Sequence, residues 1–181
     1  MALLTLTQQN SIKPLNPNWC AERKINGGKT NFEQLQSEVE NKELRGLLGN
    51  ALLYDIQQNP ETTLNTKLLN GTTFEDCDGN TIEFEGIRFQ LAYMNYSKYT
   101  GISKIADTFT GMMVQNRTET SQISEGAVKR EQIDAREIAL QDFELMKQYL
   151  NENHTDYPLW QCSDTKRIFT PKLTTFRKTY N

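Results

Sequence analysis

Apolar residues recur at helical spacing in three stretches of the chain, and these stretches frame the fold. Thr30-Asn31-Phe32-Glu33 offers a capping box, in which the hydroxyl and the carboxylate each accept from an otherwise unpaired backbone N–H. A helix is therefore predicted to begin at Asn31. Phe32, Leu35 and Val39 fall on one face of it, and after a break expected near Asn41 the stripe resumes through Leu44, Leu47, Leu48, Ala51, Leu52 and Ile56. Asn59-Pro60 ends this run, and a short helix over about 61–70 is predicted to stop at Asn70-Gly71. The second stretch runs from Ile87 to about Lys104, with Ile87, Leu91, Met94 and Lys98 on one stripe and Phe89, Tyr93 and Tyr96 on another. Two covered faces predict the central helix of the molecule. In the third, Ser124 is positioned to cap a helix from Glu125 to Glu152, whose stripe is Val128, Ala135, Ile138, Ala139, Phe143, Met146, Tyr149 and Leu150.

The segments between these stripes follow other patterns. Thr73–Cys77 and Thr81–Glu85 alternate apolar residues with acids around Asp78-Gly79-Asn80, which predicts a β-hairpin over about 73–85. Phe74, Phe84, Phe89 and Tyr93 are expected to form one aromatic cluster with it. Residues 1–29 lack a sustained period and contain Pro14, Pro17 and Gly27-Gly28, so they read as an extended arm anchored by Trp19. The run from Ile105 to Ile123 has no helical period and separates the two strongest helices, and a loop of that length is usually functional or disordered. It carries Phe109, Met112, Met113 and Val114 with nothing local to cover them, and Arg117 in the same stretch. These five residues are the candidate subunit interface. The predicted fold is thus mainly α: a helical body over 30–153, with one long C-terminal helix, a small hairpin, an interface loop over about 105–124, and extended arms at 1–29 and 154–181.

Composition shifts this picture toward assembly and away from catalysis. Asn, Gln and Thr supply 16, 13 and 20 of the 181 residues, while apolar residues make up 36%, so the chain has much polar surface to give to partners. No apolar stretch approaches the roughly 20 residues of a membrane span. The N-terminus lacks the basic and apolar regions of a signal peptide, which leads to the expectation of a cytosolic origin. The net charge of −3 conceals a division. Residues 1–30 hold Lys13, Arg23, Lys24 and Lys29 against Glu22, residues 165–181 hold five cations against no acid, and residues 31–164 hold 11 basic against 22 acidic residues. Cationic ends on an anionic body point to acidic partners for the ends. In the C-terminal arm Lys166, Arg167, Lys172, Arg177 and Lys178 interleave with Ile168, Phe169, Leu173, Phe176 and Tyr180. A solvated tail needs no such apolar residues, and a core segment would not carry such cations. Because Ile168, Thr170 and Lys172 alternate with Phe169, Pro171 and Leu173, the segment is expected to lie extended on a partner, with Pro171 at an edge.

Catalytic patterns are sparse. His154 is the single histidine and stands just past a helix C-terminus, where a partial positive charge is welcome, so it reads as a surface residue. Cys20, Cys77 and Cys162 have no spacing that suggests a disulfide framework or a zinc site. The acids at Glu75-Asp76 and at Glu83 and Glu85 read as the solvated face of the hairpin. Gly27-Gly28-Lys29-Thr30 has the end of a phosphate loop without its first glycine or a preceding strand. No enzyme activity, cofactor or metal is expected.

The order of helices, the stretch LLNGTTFEDCDGNTIEFEGIRFQLAYMNYSKY, the polar run, the long helix and the closing YLNENHTDYPLW resembles the head-to-tail connector proteins of tailed bacteriophages, also called adaptor or head-completion proteins. The likeness is greatest to the neck ring proteins of crAss-like phages of Bacteroides. It covers roughly 30–160, and its most specific part runs from Leu69-Asn70-Gly71 through Phe84-Glu85-Gly86 to Tyr93 and Tyr96. The resemblance implies a structural virion protein, assembled in the host cytoplasm, that forms a ring of twelve copies between portal and tail. Its partners would be itself, the portal protein, the next neck or tail ring, and genomic DNA passing through the channel without sequence-specific contacts, with no membrane. It implies no catalytic residues. The other reading is a phage DNA-binding or regulatory protein that lays its basic ends on phosphates.

Overall fold

The computed structural model describes residues 3–22, 28–76, 78–102, 105–108, 111–114 and 125–160, the two short pieces at 105–108 and 111–114 as backbone alone. Its elements in chain order are α1 (Leu6–Ile12), α2 (Pro17–Ala21), α3 (Asn31–Val39), a π-helical turn (Glu40–Leu44), α4 (Arg45–Leu48), α5 (Asn50–Gln58), α6 (Thr63–Asn70), β1 (Thr72–Glu75), β2 (Thr81–Phe84), α7 (Ile87–Ile102), β3 (Ile105–Thr108), β4 (Gly111–Val114) and α8 (Glu125–Glu152). The mainly helical fold with its hairpin and one long C-terminal helix is as the sequence predicts.

The capping box at α3 forms as expected: the Thr30 hydroxyl accepts from the Glu33 N–H at 3.2 Å, and the Glu33 carboxylate accepts from the Thr30 N–H at 2.7 Å. Thr30 is therefore a helix cap and not part of a phosphate loop. The break expected at Asn41 is instead the π-helical turn, which carries the helix on to Leu48, and the chain bends at Gly49, whose φ is +80°. This turn directs Glu40 inward, where its carboxylate accepts from the Gln36 and Gln57 amides at 2.7 and 3.2 Å and from the Leu3 N–H at 3.4 Å.

Helix α7 is the centre of the body, packed against α1, α3, α6 and α8. Its Ile87, Leu91 and Met94 are buried, as the stripe predicts. Lys98, on the same stripe, reaches out to Glu38 of α3 at 2.7 Å, and that ammonium holds the Glu38 carboxyl below its usual pKa. On α8 the stripe Ala135, Ala139, Phe143, Met146, Tyr149 and Leu150 is buried with Asp142 among it, but Ile138 lies exposed.

The N-terminal region departs from the expected extended arm. Residues 3–22 contain α1 and α2 and close the body, with Leu3, Leu4, Leu15 and Cys20 buried. The periodicity that would reveal α1 is missing because its buried anchor is polar. The Gln9 amide donates to the Lys13 and Ala92 carbonyls at 2.7 and 3.1 Å and accepts from Asn95 at 3.1 Å. Trp19 is an anchor as expected, edge-on to Tyr99 at 4.8 Å. Lys13, counted among the basic groups of the arm, is engaged within the body: its ammonium lies 4.3 Å from the Tyr96 ring centroid and 3.4 Å from Glu131.

Two close approaches of backbone hold the hairpin to the helices. Gly71 and Gly86 both have positive φ, +83° and +92°, and they meet where α6 ends and α7 begins. A Cβ on Gly86 would collide with the Gly71 nitrogen and stand 2.9 Å from the Leu68 carbonyl oxygen; one on Gly71 would collide with the Phe84 carbonyl. Left-handed backbone alone costs an ordinary residue about 1–2 kcal/mol, and the collision is with backbone that has no rotamer to change. Gly86→Ala is accordingly expected to lower unfolding stability by more than about 2 kcal/mol in chemical denaturation. A change near zero would show that the junction relaxes freely.

Candidate functional site

The residues that the sequence singles out fall near the two hairpins and where the described chain leaves the body. In the first hairpin Thr72 pairs with Phe84, Thr73 with Glu83, Phe74 with Ile82 and Glu75 with Thr81. Its period of two places Phe74, Ile82 and Phe84 on the inner face and the exposed Thr73, Glu75, Thr81 and Glu83 on the outer one. The connection is closed by Asp76, whose carboxylate accepts from the Asp78 and Asn80 N–H groups at 2.9 and 2.8 Å and from the Asn80 amide at 3.1 Å. Those donors, the Asn80 backbone first, hold the Asp76 pKa below its usual value. Asp78 and Glu85 are exposed as well, and residues 72–87 include no Lys or Arg. The outer face therefore carries acids beside threonines and no cation of its own.

The inner face is fastened to α8. Phe74 and Phe84 stack edge-on and tilted on Tyr149, at 5.5 and 5.3 Å, and Tyr149 meets Tyr157 at 5.8 Å. The aromatic cluster expected from sequence thus recruits Tyr149 and Tyr157, while Phe89 and Tyr93 form a separate pair at 4.6 Å. Asp142 joins hairpin, α7 and α8 in one node. Its carboxylate accepts from the Glu85 N–H at 2.6 Å, the Gly86 N–H at 3.2 Å and the Gln90 amide at 2.8 Å. Since the Gly86 carbonyl accepts the first bond of α7 from Gln90, Asp142 caps that helix from across the interface and places a negative charge at its positive end.

The chain is pinned again where it leaves the body. Tyr157 is buried, its hydroxyl donates to the Leu64 carbonyl at 3.1 Å, and burial followed by the Tyr149 phenol raises its pKa well above the usual tyrosine range. Trp160 donates from its indole to Asn151 at 2.8 Å. The body therefore extends to 160 and beyond the boundary expected at 153, because the Tyr-Pro-Leu-Trp anchor docks on α8.

The second hairpin occupies part of the run expected to lack structure of its own. Ile105 pairs with Val114, Ala106 with Met113, Asp107 with Met112 and Thr108 with Gly111. Four-residue strands without clean alternation leave little periodic signal. Met112, Met113 and Val114 thus sit on β4, although only their backbone is described, while Phe109 and Arg117 lie outside the described residues. So do Lys166, Arg167, Ile168, Phe169, Lys172, Leu173, Phe176, Arg177 and Lys178, the whole candidate arm. What the sequence does not reveal is the apolar exposure at one end of the α7–α8 pair. Gly101 lies against Gln132 of α8, and at that end of the helix pair Ile102 and Ile133 are 38% and 46% exposed. His154 is exposed, as expected. Among the described residues no three His, Cys, Asp or Glu side chains group to hold a metal ion, and no helix is long and apolar enough to cross a membrane.

Compared with known proteins, residues 44–170 match a family described as "Family of unknown function (DUF6712)". No curated protein and no solved structure matches the chain.

Proposed function

We infer the role of this chain, which belongs to that family of unknown function, from its surfaces: it is a structural subunit of a ring in the neck of a tailed phage, joining the portal to the tail around the DNA channel. The observation that carries the subunit contact is the apolar exposure of Ile102 and Ile133 at the end of the α7–α8 pair from which β3 and β4 arise. Water-exposed isoleucines at that end, with the apolar Met112, Met113 and Val114 in the intervening sequence, suit burial against a second copy. The order of helices, hairpin, central helix, inserted segment and long helix supports the likeness to connector proteins. The acidic body suits a channel wall, since DNA passes without the counterion release that makes it stick. The basic C-terminal arm, Lys166 to Lys178, is the element that engages the portal or the next ring.

The test is assembly. The intact chain is expected to form closed rings, seen by mass photometry and negative-stain microscopy, and to be found in purified virions by mass spectrometry. A chain with 108–120 replaced by a Gly-Ser linker should keep its helical circular dichroism and lose ring formation. Rings from the shortened chain would remove the interface assignment. Tight, salt-sensitive binding of duplex DNA by the intact chain would favour the reading as a DNA-binding protein.

A further inference from the structure

We propose that the tip of the first hairpin docks in a concavity on α4 and α5 of the next copy of the chain, so that successive subunits meet head to tail. Arg45, Asn50, Ala51, Leu53, Tyr54 and Gln57 line this open concavity of about 460 Å³. Among the described residues Tyr54 is the most open of the large apolar side chains, at 64%, and tyrosine and arginine are the residue types in which the energy of protein interfaces concentrates. Arg45 is exposed, and among the described residues no acceptor meets its guanidinium. The acids of this stretch are already engaged: Glu40 by Gln36 and Gln57, Glu43 by Arg136 at 3.3 Å, and Asp55 by the Asn59 and Asn65 amides at 2.8 and 3.0 Å. No side chain caps α5, whose first residues Asn50 and Ala51 belong to the lining, so the positive end of that helix adds to the preference of Arg45 for an anionic group.

The chain itself carries the matching occupant. Residues 72–87 hold Glu75, Asp76, Asp78, Glu83 and Glu85 and no Lys or Arg, and Asp78, Gly79 and Asn80 at the turn are exposed. A Cβ placed on Gly79 would meet nothing within 4 Å, so the tip stands clear of its own body. It is also ordered before contact. The Asp76 carboxylate accepts from the Asp78 and Asn80 N–H groups and from the Asn80 amide, and a turn locked in this way loses little conformational freedom on docking. Among the described residues no side chain engages the Asp78 carboxylate, which leaves it to meet Arg45, while the bare Gly79 backbone gives the Tyr54 ring a surface to pack on. Tip and concavity are different surfaces, so the contact is heterologous, and its repetition closes a ring or runs on as a filament. The proposal rests on the ring reading above and deepens it, naming described surfaces through which one copy joins the next.

Sedimentation velocity and mass photometry of the full-length chain test it. Tyr54→Ala, Arg45→Glu and the pair Asp78→Lys/Glu83→Lys all alter exposed side chains, so each is expected to keep the native circular dichroism while self-association weakens about tenfold or more. Arg45→Glu and Asp78→Lys combined in one chain oppose charges again and should restore part of that loss. A mixture is the sharper arm. Chains with Arg45→Glu keep a native tip, chains with Asp78→Lys/Glu83→Lys keep a native concavity, and only one native junction can form between them. At a concentration where each alone is monomeric, the mixture should give dimers that grow no further. Unchanged association of Arg45→Glu and Tyr54→Ala chains would overturn the proposal and leave the neck assignment standing, because assembly would then run through other surfaces. A mixture that stays monomeric would overturn it as well, as would an intact chain that stays monomeric at millimolar concentration; the neck assignment is then decided separately, by whether the chain is found in purified virions.

Discussion

Replacing Phe84 with alanine is expected to cost about 3–5 kcal/mol of unfolding free energy, the range for removing a fully buried aromatic ring. Phe84 is 1% exposed, lies at the end of β2, and touches both Phe74 and Tyr149. Its loss leaves a void that the surroundings cannot close easily, because the backbone on either side is held: Gly86 abuts Gly71, and the Glu85 N–H is bonded to Asp142. The hairpin, which as two strands alone is marginal, would lose its main attachment to α8. Chemical denaturation followed by circular dichroism measures the cost. A change below about 1 kcal/mol, well under the usual range for such a truncation, would mean that the hairpin is fixed mainly by backbone contacts.

Asp142→Ala is expected to cost at least about 3 kcal/mol, taking about 1 kcal/mol as the low end for each of three donors left without a partner. The Glu85 and Gly86 N–H groups and the Gln90 amide all turn to this one buried carboxylate. The loss falls on the start of α7 and on the hairpin at the same time, so the variant should expose the amides of Glu85 and Gly86 to exchange before the remainder of the body opens. Asp142→Asn separates the contributions. It keeps one acceptor oxygen and replaces the other by a donor that faces donors, so its stability should fall between those of the native chain and Asp142→Ala. Equal losses for the two variants would show that the charge at the end of α7, and not the number of acceptors, carries the stabilisation.

Helices α3, α5, α7 and α8 were legible in the chain itself because each repeats apolar residues at the period of a helix, and the Thr30–Glu33 capping box and Asn59-Pro60 mark two of their ends, as Asn70-Gly71 marks the end of α6. The first hairpin was legible because a period of two surrounds a turn that Asp76 and Gly79 can close locally. Both signals depend on neighbours within a few residues, and tertiary context had only to agree. The elements that stayed hidden are those whose reason lies far along the chain. Helix α1 is held by Gln9 on Ala92 and Asn95, more than eighty residues away, and a polar anchor leaves no stripe to read. Ile138 keeps the spacing of a core residue yet faces out, since α8 is covered along one side and a stripe alone does not say how wide the cover is. The candidate interface was legible only as apolar residues in want of cover. That Ile102 and Ile133 lie open follows from how α7 and α8 meet at Gly101 and Gln132. Local periodicity and composition set the helices from α3 onward, the first hairpin and the division of charge. The tertiary structure alone decided which faces are buried, that Gly71 and Gly86 lie back to back, and that Asp142 caps a helix other than its own, because burial, close approach and hydrogen bonding are relations between distant residues that no single stretch of chain contains.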